Sequence, residues 1–138
     1  MCLFCEIIAG EAPAHVVLDE EATLGFLDIR PLFPGHTLLV PKQHRETLSD
    51  LPVDLIQPLF HTAQRLARAV EGATQADGSL MVINNKVSQS VPHLHLHVIP
   101  RRFRDGLRGF LWPRKPYADE ASAEEVAMRI RSALGDQQ

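Results

Sequence analysis

The sequence predicts an α+β domain: an antiparallel sheet of about five strands, one long helix between the third and fourth strands, and a helix near the C-terminus. Three observations carry this. Short β-rich runs follow one another with turn residues between them. Only one long stretch of 3.6-residue apolar periodicity interrupts them. The 138 residues contain no internal repeat, low-complexity tract or obvious linker, so residues 1–138 read as one domain. That length buries a core without staples.

"LFCEIIAG" (3–10) predicts a short helix ended by Gly10. "HVVLD" (15–19) and "TLGFLD" (23–28) are apolar, β-rich runs set apart by Glu20, Glu21 and Ala22, as in a hairpin. "IRPLFPGH" carries Pro31, Pro34 and Gly35 and reads as a loop. "HTLLVP" (36–41) is a third strand, ended by Pro41. Ser49 or Asp50 can cap the long helix, with Pro52 in its first turn. Ile56, Leu59, Phe60, Ala63, Leu66, Ala67 and Val70 then recur with helical spacing up to Gly72, and Pro58 should kink the helix or delay its start. "SLMVIN" (79–84) and "HLHLHVIP" (93–100) are the last two strands. "SAEE" (122–125) reads as a capping box for a final helix that presents Val126, Ala127, Ile130, Ala133 and Leu134 on one face and stops at Gly135.

An apolar fraction of 45% and a charged fraction of 22% fit an ordinary soluble domain. A net charge of -3 gives no protein-wide field for nucleic acid or an anionic membrane, so neither is expected as a partner. The charge is nevertheless uneven. Arg101, Arg102, Arg104, Arg108, Arg114 and Lys115 crowd one segment with only Asp105 opposing them. A solvated loop and a local field for a phosphate-bearing ligand both fit. No apolar run approaches the ~20 residues of a membrane span, and "MCLFCEIIAGE" lacks a basic n-region. A cytoplasmic location is expected. Reducing conditions there argue against a Cys2–Cys5 disulfide and for a metal or redox role.

"HLHLHVIP" is the most clearly alternating run. In a strand, side chains alternate faces, so His93, His95 and His97 share one face, about 7 Å from one to the next. Leu94, Leu96 and Val98 share the other and read as core. Three readings compete for the histidines: a polar surface strand, a metal site, or nucleophilic and acid–base chemistry on a phosphoryl group.

These residues carry a resemblance. "HLHLHVI" fits the His-φ-His-φ-His-φ-φ signature of the histidine triad family of nucleotide hydrolases and transferases, where φ is apolar. "CLFCEIIAGEAPAHVV", "FLDIRPLFPGHTLLVPKQH" and "QSVPHLHLHVIPR" are similar to that family's ordered motifs, from Cys2 to Arg102. The resemblance implies a histidine triad domain with its core at 2–102 and an arginine-rich loop and C-terminal helix at 103–138. It also implies that His95 is the nucleophile that attacks the α-phosphate of a nucleotide and forms a covalent nucleotidyl-histidine. His97 and His36 would surround that phosphate with hydrogen-bond donors. Asp28 would accept from the ribose hydroxyls; the plainer reading is a strand-end Asp capping a turn. Phe4, Ile8, Leu27 and Ile29 match the apolar wall around the base, a role compatible with plain core packing. Gln89 and Ser90 match a polar pair that contacts the phosphate or leaving group, and Asn84 and Asn85 resemble asparagines that reach the phosphates. Two departures stand out: the connection from Asn85 to Gln89 is only "KVS", and Pro92 stands where relatives often carry an aromatic residue.

One branch of the family, like the related galactose-1-phosphate uridylyltransferases, binds zinc through two cysteines, a histidine after the third strand and the first triad histidine. Here that set is Cys2, Cys5, His44 and His93. Four protein ligands leave no open position, so the implied zinc is structural. The implied activity is hydrolysis or transfer of a purine nucleotide, with AMP as the bound half. Dinucleoside polyphosphates are favoured because the arginine-rich segment can meet extra phosphates; nucleoside phosphoramidates are the alternative. A nucleotide-binding regulatory protein with little turnover is a reading from another class, and a catalytic metal held by all three triad histidines is a third. Many relatives are two-fold dimers, and the helix from Ile56 to Val70 and the tail with Phe110, Trp112 and Tyr117 are the expected interface.

Overall fold

The computed structural model describes residues 2–107 and 114–137. Arg108, Phe110 and Trp112, singled out above, lie outside the described residues. The chain forms two compact units, residues 1–105 and 106–138.

The first unit runs α1 (Leu3–Ile8), β1 (Val16–Asp19), β2 (Thr23–Leu27), β3 (Thr37–Pro41), a 3₁₀ turn (Leu48–Asp50), α2 (Val53–Thr74), β4 (Gly78–Ile83) and β5 (Leu96–Arg101). The strands make one five-stranded sheet in the order β1-β2-β3-β5-β4, with every neighbouring pair antiparallel. Every residue of β3 is buried, as a central strand covered on both faces requires. Leu39 of β3 joins Leu94, Leu96 and Val98 under Leu59, Ala63, Leu66 and Val70 of α2. These α2 positions recur every three or four residues, which lays one stripe on the sheet. Leu38 and Val40 point the other way and pack with Leu24, Phe26 and Phe4 of α1. Alternation along β3 and β5 thus gives the sheet an α2 face and an α1 face. His97, between Leu96 and Val98, belongs to the α1 face.

Several boundaries differ from expectation for local reasons. β5 begins at Leu96, so His93 and His95 lie in the segment entering the strand. The β3–β5 register, Leu39 opposite Leu96, would set Pro41 opposite Leu94 if continued, and proline has no N–H to extend the ladder. Leu94 instead donates its N–H to the Arg45 carbonyl at 2.6 Å. α2 starts at Val53 and runs through Pro58, so that proline does not delay its start. Ser49 and Asp50 do not cap it: both sit in the 3₁₀ turn, where the Asp50 carboxylate accepts from the Thr47 N–H at 3.1 Å and hydroxyl at 2.8 Å. α2 continues past Gly72 to Thr74, where left-handed Gln75 returns its N–H to Glu71 and Gly72.

In the second unit α3 spans Glu120–Gly135. Its cap is Asp119, which accepts from the Ser122 N–H at 2.7 Å, so the helix starts before the expected Ser122 cap. No helix among the described residues is long and apolar enough to cross a membrane.

Gly35 precedes His36 at a φ of +101°, and a Cβ there would lie 2.6 Å from Thr74 Cγ2. Left-handed strain and this overlap make Gly35→Ala cost about 2 kcal/mol or more. Chemical denaturation should show the midpoint falling at unchanged slope.

Candidate active site

The N-terminus reaches the sheet through α1. Cys2 caps that helix by accepting the Cys5 N–H on Sγ at 3.3 Å, and so both sulfurs face the same way. His44, just beyond β3, and His93, just before β5, meet them. The ligand atoms of Cys2, Cys5, His44 and His93 lie within 4.8 Å of one another. The four sulfur–Nδ1 distances run from 3.3 to 3.6 Å, and the S–S and N–N distances are 3.1 Å each. A tetrahedral zinc with standard bond lengths has ligand–ligand edges of roughly 3.3–3.8 Å. The four thiol–imidazole edges match, the N–N edge is a few tenths of an ångström short, and the S–S edge is shorter than the ideal by roughly 0.6 Å. His93 Nε2 lies 2.8 Å from the Pro41 carbonyl. It must donate there, which leaves the Nδ1 lone pair aimed at the cluster. Two soft sulfurs and two imidazole nitrogens, one with its tautomer fixed by a carbonyl, suit zinc. Burial, then the adjoining Cys2, pushes the Cys5 thiol up.

The remaining histidines form a second group. His95 Nδ1 lies 2.7 Å from the His93 carbonyl, so Nδ1 carries the proton and Nε2 keeps its lone pair. The Leu32 N–H donates to His36 Nδ1 at 3.1 Å. His36 therefore holds its proton on Nε2 and donates it to His97 Nδ1 at 2.9 Å. His97 in turn presents Nε2–H. Backbone groups thus set the tautomers of His95 and His36 directly, and that of His97 through His36. Asp28, His36 and His97 could also be counted as metal donors. Yet a metal on His36 Nε2 would place a proton on Nδ1, facing the Leu32 N–H, so this group fits as a hydrogen-bonded chain.

The rings are close: His95 and His97 have centroids 5.0 Å apart, and Phe4 meets His95 edge-on at 5.0 Å. Asp28 shows the turn-capping feature, and its second carboxylate oxygen turns toward the histidines. Oδ1 accepts from the Arg30 N–H at 2.8 Å in a local turn, while Oδ2 faces His36 Nε2 at 3.6 Å. Of the apolar set, Phe4 is buried, Ile8 half-buried and Leu27 partly exposed, while Ile29 is 88% exposed. Asn85 accepts the Leu48 N–H on Oδ1 at 3.0 Å. Gln89 donates to the Glu46 carbonyl at 2.5 Å and accepts from the Lys86 N–H at 2.8 Å. Asn84 is half-buried just past β4, and Ser90 is exposed. The Leu32 N–H and the Pro41 and His93 carbonyls were not anticipated, because a backbone group leaves no mark in residue type.

The arginine-rich segment begins at the end of β5 remote from His95. Arg101 pairs with Asp105 through two bonds, at 2.5 and 3.0 Å, and Arg102 donates to the Thr74 carbonyl.

The HIT domain family model matches residues 9–104, a span that holds His36, His44 and all three alternating histidines. The chain belongs to the HIT family. This HIT protein is 38% identical over 127 residues to Protein hit of Bacillus subtilis, covering 91% of this chain and 86% of that one. It is 36% identical over 115 residues to the adenosine 5′-monophosphoramidase HNT1 of Saccharomyces cerevisiae, covering 81% of this chain and 70% of that one. Among solved structures, a zinc-bound histidine triad family protein from Mycobacterium smegmatis superposes with a TM-score of 0.73 at 39% identity over 96% of each chain. Cys2 and Cys5 precede the matched HIT span, so their case rests on the cluster's geometry.

In this HIT protein, burial, followed by His95 and His36, lowers the His97 pKa to about 4 against the pull of Asp28. Burial lowers that of His36 too, again opposed by Asp28. The unfolded chain protonates both near the ordinary value of about 6.5. Unfolded molecules therefore bind more protons between about pH 6.5 and 4. The stability held by the neutral rings is complete above that window and is lost as pH falls through it. The thermal midpoint should drop from pH 7 to pH 5, because unfolding free energy falls by up to about 1.4 kcal/mol per pH unit for each ring. His97→Asn should flatten the slope, and an equal slope in that variant would contradict the assignment.

Proposed function

We propose that the protein hydrolyses, or transfers the nucleotidyl group of, a purine nucleoside 5′-monophosphate derivative by covalent catalysis on His95. The observation that carries this is the tautomer arrangement. His95 Nδ1–H is tied to the His93 carbonyl, which leaves a lone pair on Nε2 beside an ordered pair of neutral donors, His36 and His97. In the first half-reaction Nε2 bonds to the α-phosphorus as the bond to the leaving group breaks and that group takes up a proton from solvent. In the second, water adds at phosphorus and gives a proton back to solvent, the P–Nε2 bond breaks, its electron pair returns to Nε2, and the nucleoside monophosphate departs. His97 Nε2–H is a donor for the phosphoryl oxygens, already oriented before substrate arrives. Asp28 Oδ2 would accept from the ribose, and Phe4, Ile8, Leu27 and Ile29 would flank the base. Zinc on Cys2, Cys5, His44 and His93 would supply a cross-link between the N-terminus and the sheet, with four protein ligands and no place for substrate.

A phosphoramidate is the preferred substrate class. Kinship to the yeast phosphoramidase supports it. The arginine-rich segment, which favoured dinucleoside polyphosphates, has Arg101 and Arg102 engaged within the fold at the strand's other end. We also place the protein in the cytoplasm as a homodimer, for which Ile56 and Phe60, exposed on α2, offer an apolar face. A panel of nucleoside phosphoramidates and dinucleoside polyphosphates tests the activity. Release of AMP from phosphoramidates at the higher kcat/KM is expected. AMP binding without turnover of either class would favour a regulatory role.

A further inference from the structure

The connection between β4 and β5 covers residues 84–95, and two residues of the tight turn at its start, Lys86 and Ser88, hold left-handed conformations at φ 70° and 60° without being glycine. Such positions persist only where the surroundings over-determine them. Here the surroundings are two side chains. Gln89 binds inside the loop and outside it at once: Oε1 accepts the Lys86 N–H and Nε2 donates to the Glu46 carbonyl. Asn85 Oδ1 takes the Leu48 N–H at the loop's other end. The Val87 N–H closes on the Asn85 carbonyl at 2.8 Å. Residues 85–89 are therefore tied down at both ends to residues 46–48.

The loop borders the histidines through the sheet register. Val82 lies opposite His97 and Ile83 opposite Leu96, so the register, if continued one residue past the ladder, would set Asn84 across from His95. On the return side the chain passes from Gln89 to His93, whose carbonyl orients His95. The segment that receives the ties begins next to His44 and also holds Leu94 through the Arg45 carbonyl.

We propose that Gln89 and Asn85 are positioning residues: they strap the β4–β5 loop to residues 46–48 and thereby hold Asn84 and His95 in register, with their side-chain amides turned to the fold and not to the leaving group. This rests on His95 as the nucleophile. It gives the shortness of "KVS" a reason, since three residues with two in left-handed conformations close the loop only while Gln89 caps it. The strap serves every substrate alike, because it acts through the register of His95 and not through contact with the departing group.

Amide hydrogen exchange and substrate comparison on the full chain test this together. In Gln89→Ala the Lys86 amide should exchange at least about fivefold faster, the effect of losing one ordinary hydrogen bond. In Asn85→Ala the Leu48 amide should do so, while Asn85→Asp, which keeps the acceptor, should restore protection. Both alanine variants should lower kcat/KM several-fold and by the same factor on a phosphoramidate and on a dinucleoside polyphosphate. Unchanged Lys86 exchange in Gln89→Ala would overturn the proposal, as would a loss confined to one leaving group. A parent inactive on both substrate classes would sink the hydrolase reading while the exchange data still decide the strap.

Discussion

His95→Asn should turn substrate over about 10³-fold more slowly than the parent, or worse, while still binding AMP within a few-fold, if His95 is the proposed nucleophile. The size follows from the role: without the nucleophile the route through a covalent intermediate is closed, and only orientation and electrostatics remain. Asparagine is the informative substitution. Its amide nitrogen takes nearly the place of imidazole Nδ1 and can keep the donor to the His93 carbonyl, a bond of 2.7 Å in the parent. Nothing then stands at Nε2. The ring is only 4% exposed and packs edge-on against Phe4, so alanine would also open a cavity and confuse lost chemistry with lost packing. Initial rates and acid-quench trapping of nucleotidyl-protein check the result: the parent accumulates the adduct and the variant does not. Hydrolysis at the parent rate would remove His95 from the mechanism. The same pair of measurements separates the rival functions. A regulatory binder shows no adduct in either protein, and a metal-activated water leaves no phosphorus on imidazole.

Much of this site was legible because it depends on alternation. The period of two places Leu94, Leu96 and Val98 in the α2-side core and leaves the imidazoles for the other face. That pattern holds although the ladder stops at Leu96, since the pattern belongs to extended backbone and the ladder to hydrogen bonding that Pro41 interrupts. Element ends were less legible because rival caps of equal chemistry lie close together. Asp119 and Ser122 both cap helices well, and only the folded chain shows Asp119 accepting from Ser122. Gly72 is a plausible helix end, yet Gln75 turns left-handed at small cost and α2 gains half a turn. Local charge was ambiguous in a different way. The basic segment fitted a solvated loop and a phosphate field equally, and the folded chain adds only that Arg101 is matched by Asp105 four residues on, at the end of β5 remote from His95. Side chains that bond to backbone were least legible: nothing in "NNKVSQ" says that Gln89 faces Glu46.

Removing the zinc proposed at Cys2, Cys5, His44 and His93 should lower the thermal midpoint by about 10 °C or more, and Cys5→Ser should do the same without a chelator. α1 has six residues, too short to persist unaided. Phe4 seals Phe26, Leu38 and Val40 on the α1 face of the sheet. This apolar contact, the edge-on packing of Phe4 against His95 and the cluster that joins Cys2 and Cys5 to His44 and His93 hold it there. The domain keeps its α2-side core without the metal, so the loss is partial and not the complete unfolding of a zinc finger. A ligand present at a thousandfold its Kd stabilises by about 4 kcal/mol, which for this chain length converts to the shift given. Elemental analysis should find close to one zinc per chain in protein purified without added metal, and far less would refute the site. Binding should weaken as pH falls, because both thiols must lose protons to ligate and burial already holds the Cys5 thiol up. Turnover should decline together with stability, since His93 is both a proposed ligand and the residue whose carbonyl orients His95. His44→Ala separates these roles. It removes a ligand that has no bond to His95, so kcat falls only in proportion to zinc lost if the metal acts through His93. A kcat that survives metal loss intact at temperatures below the lowered midpoint would confine the metal to stability.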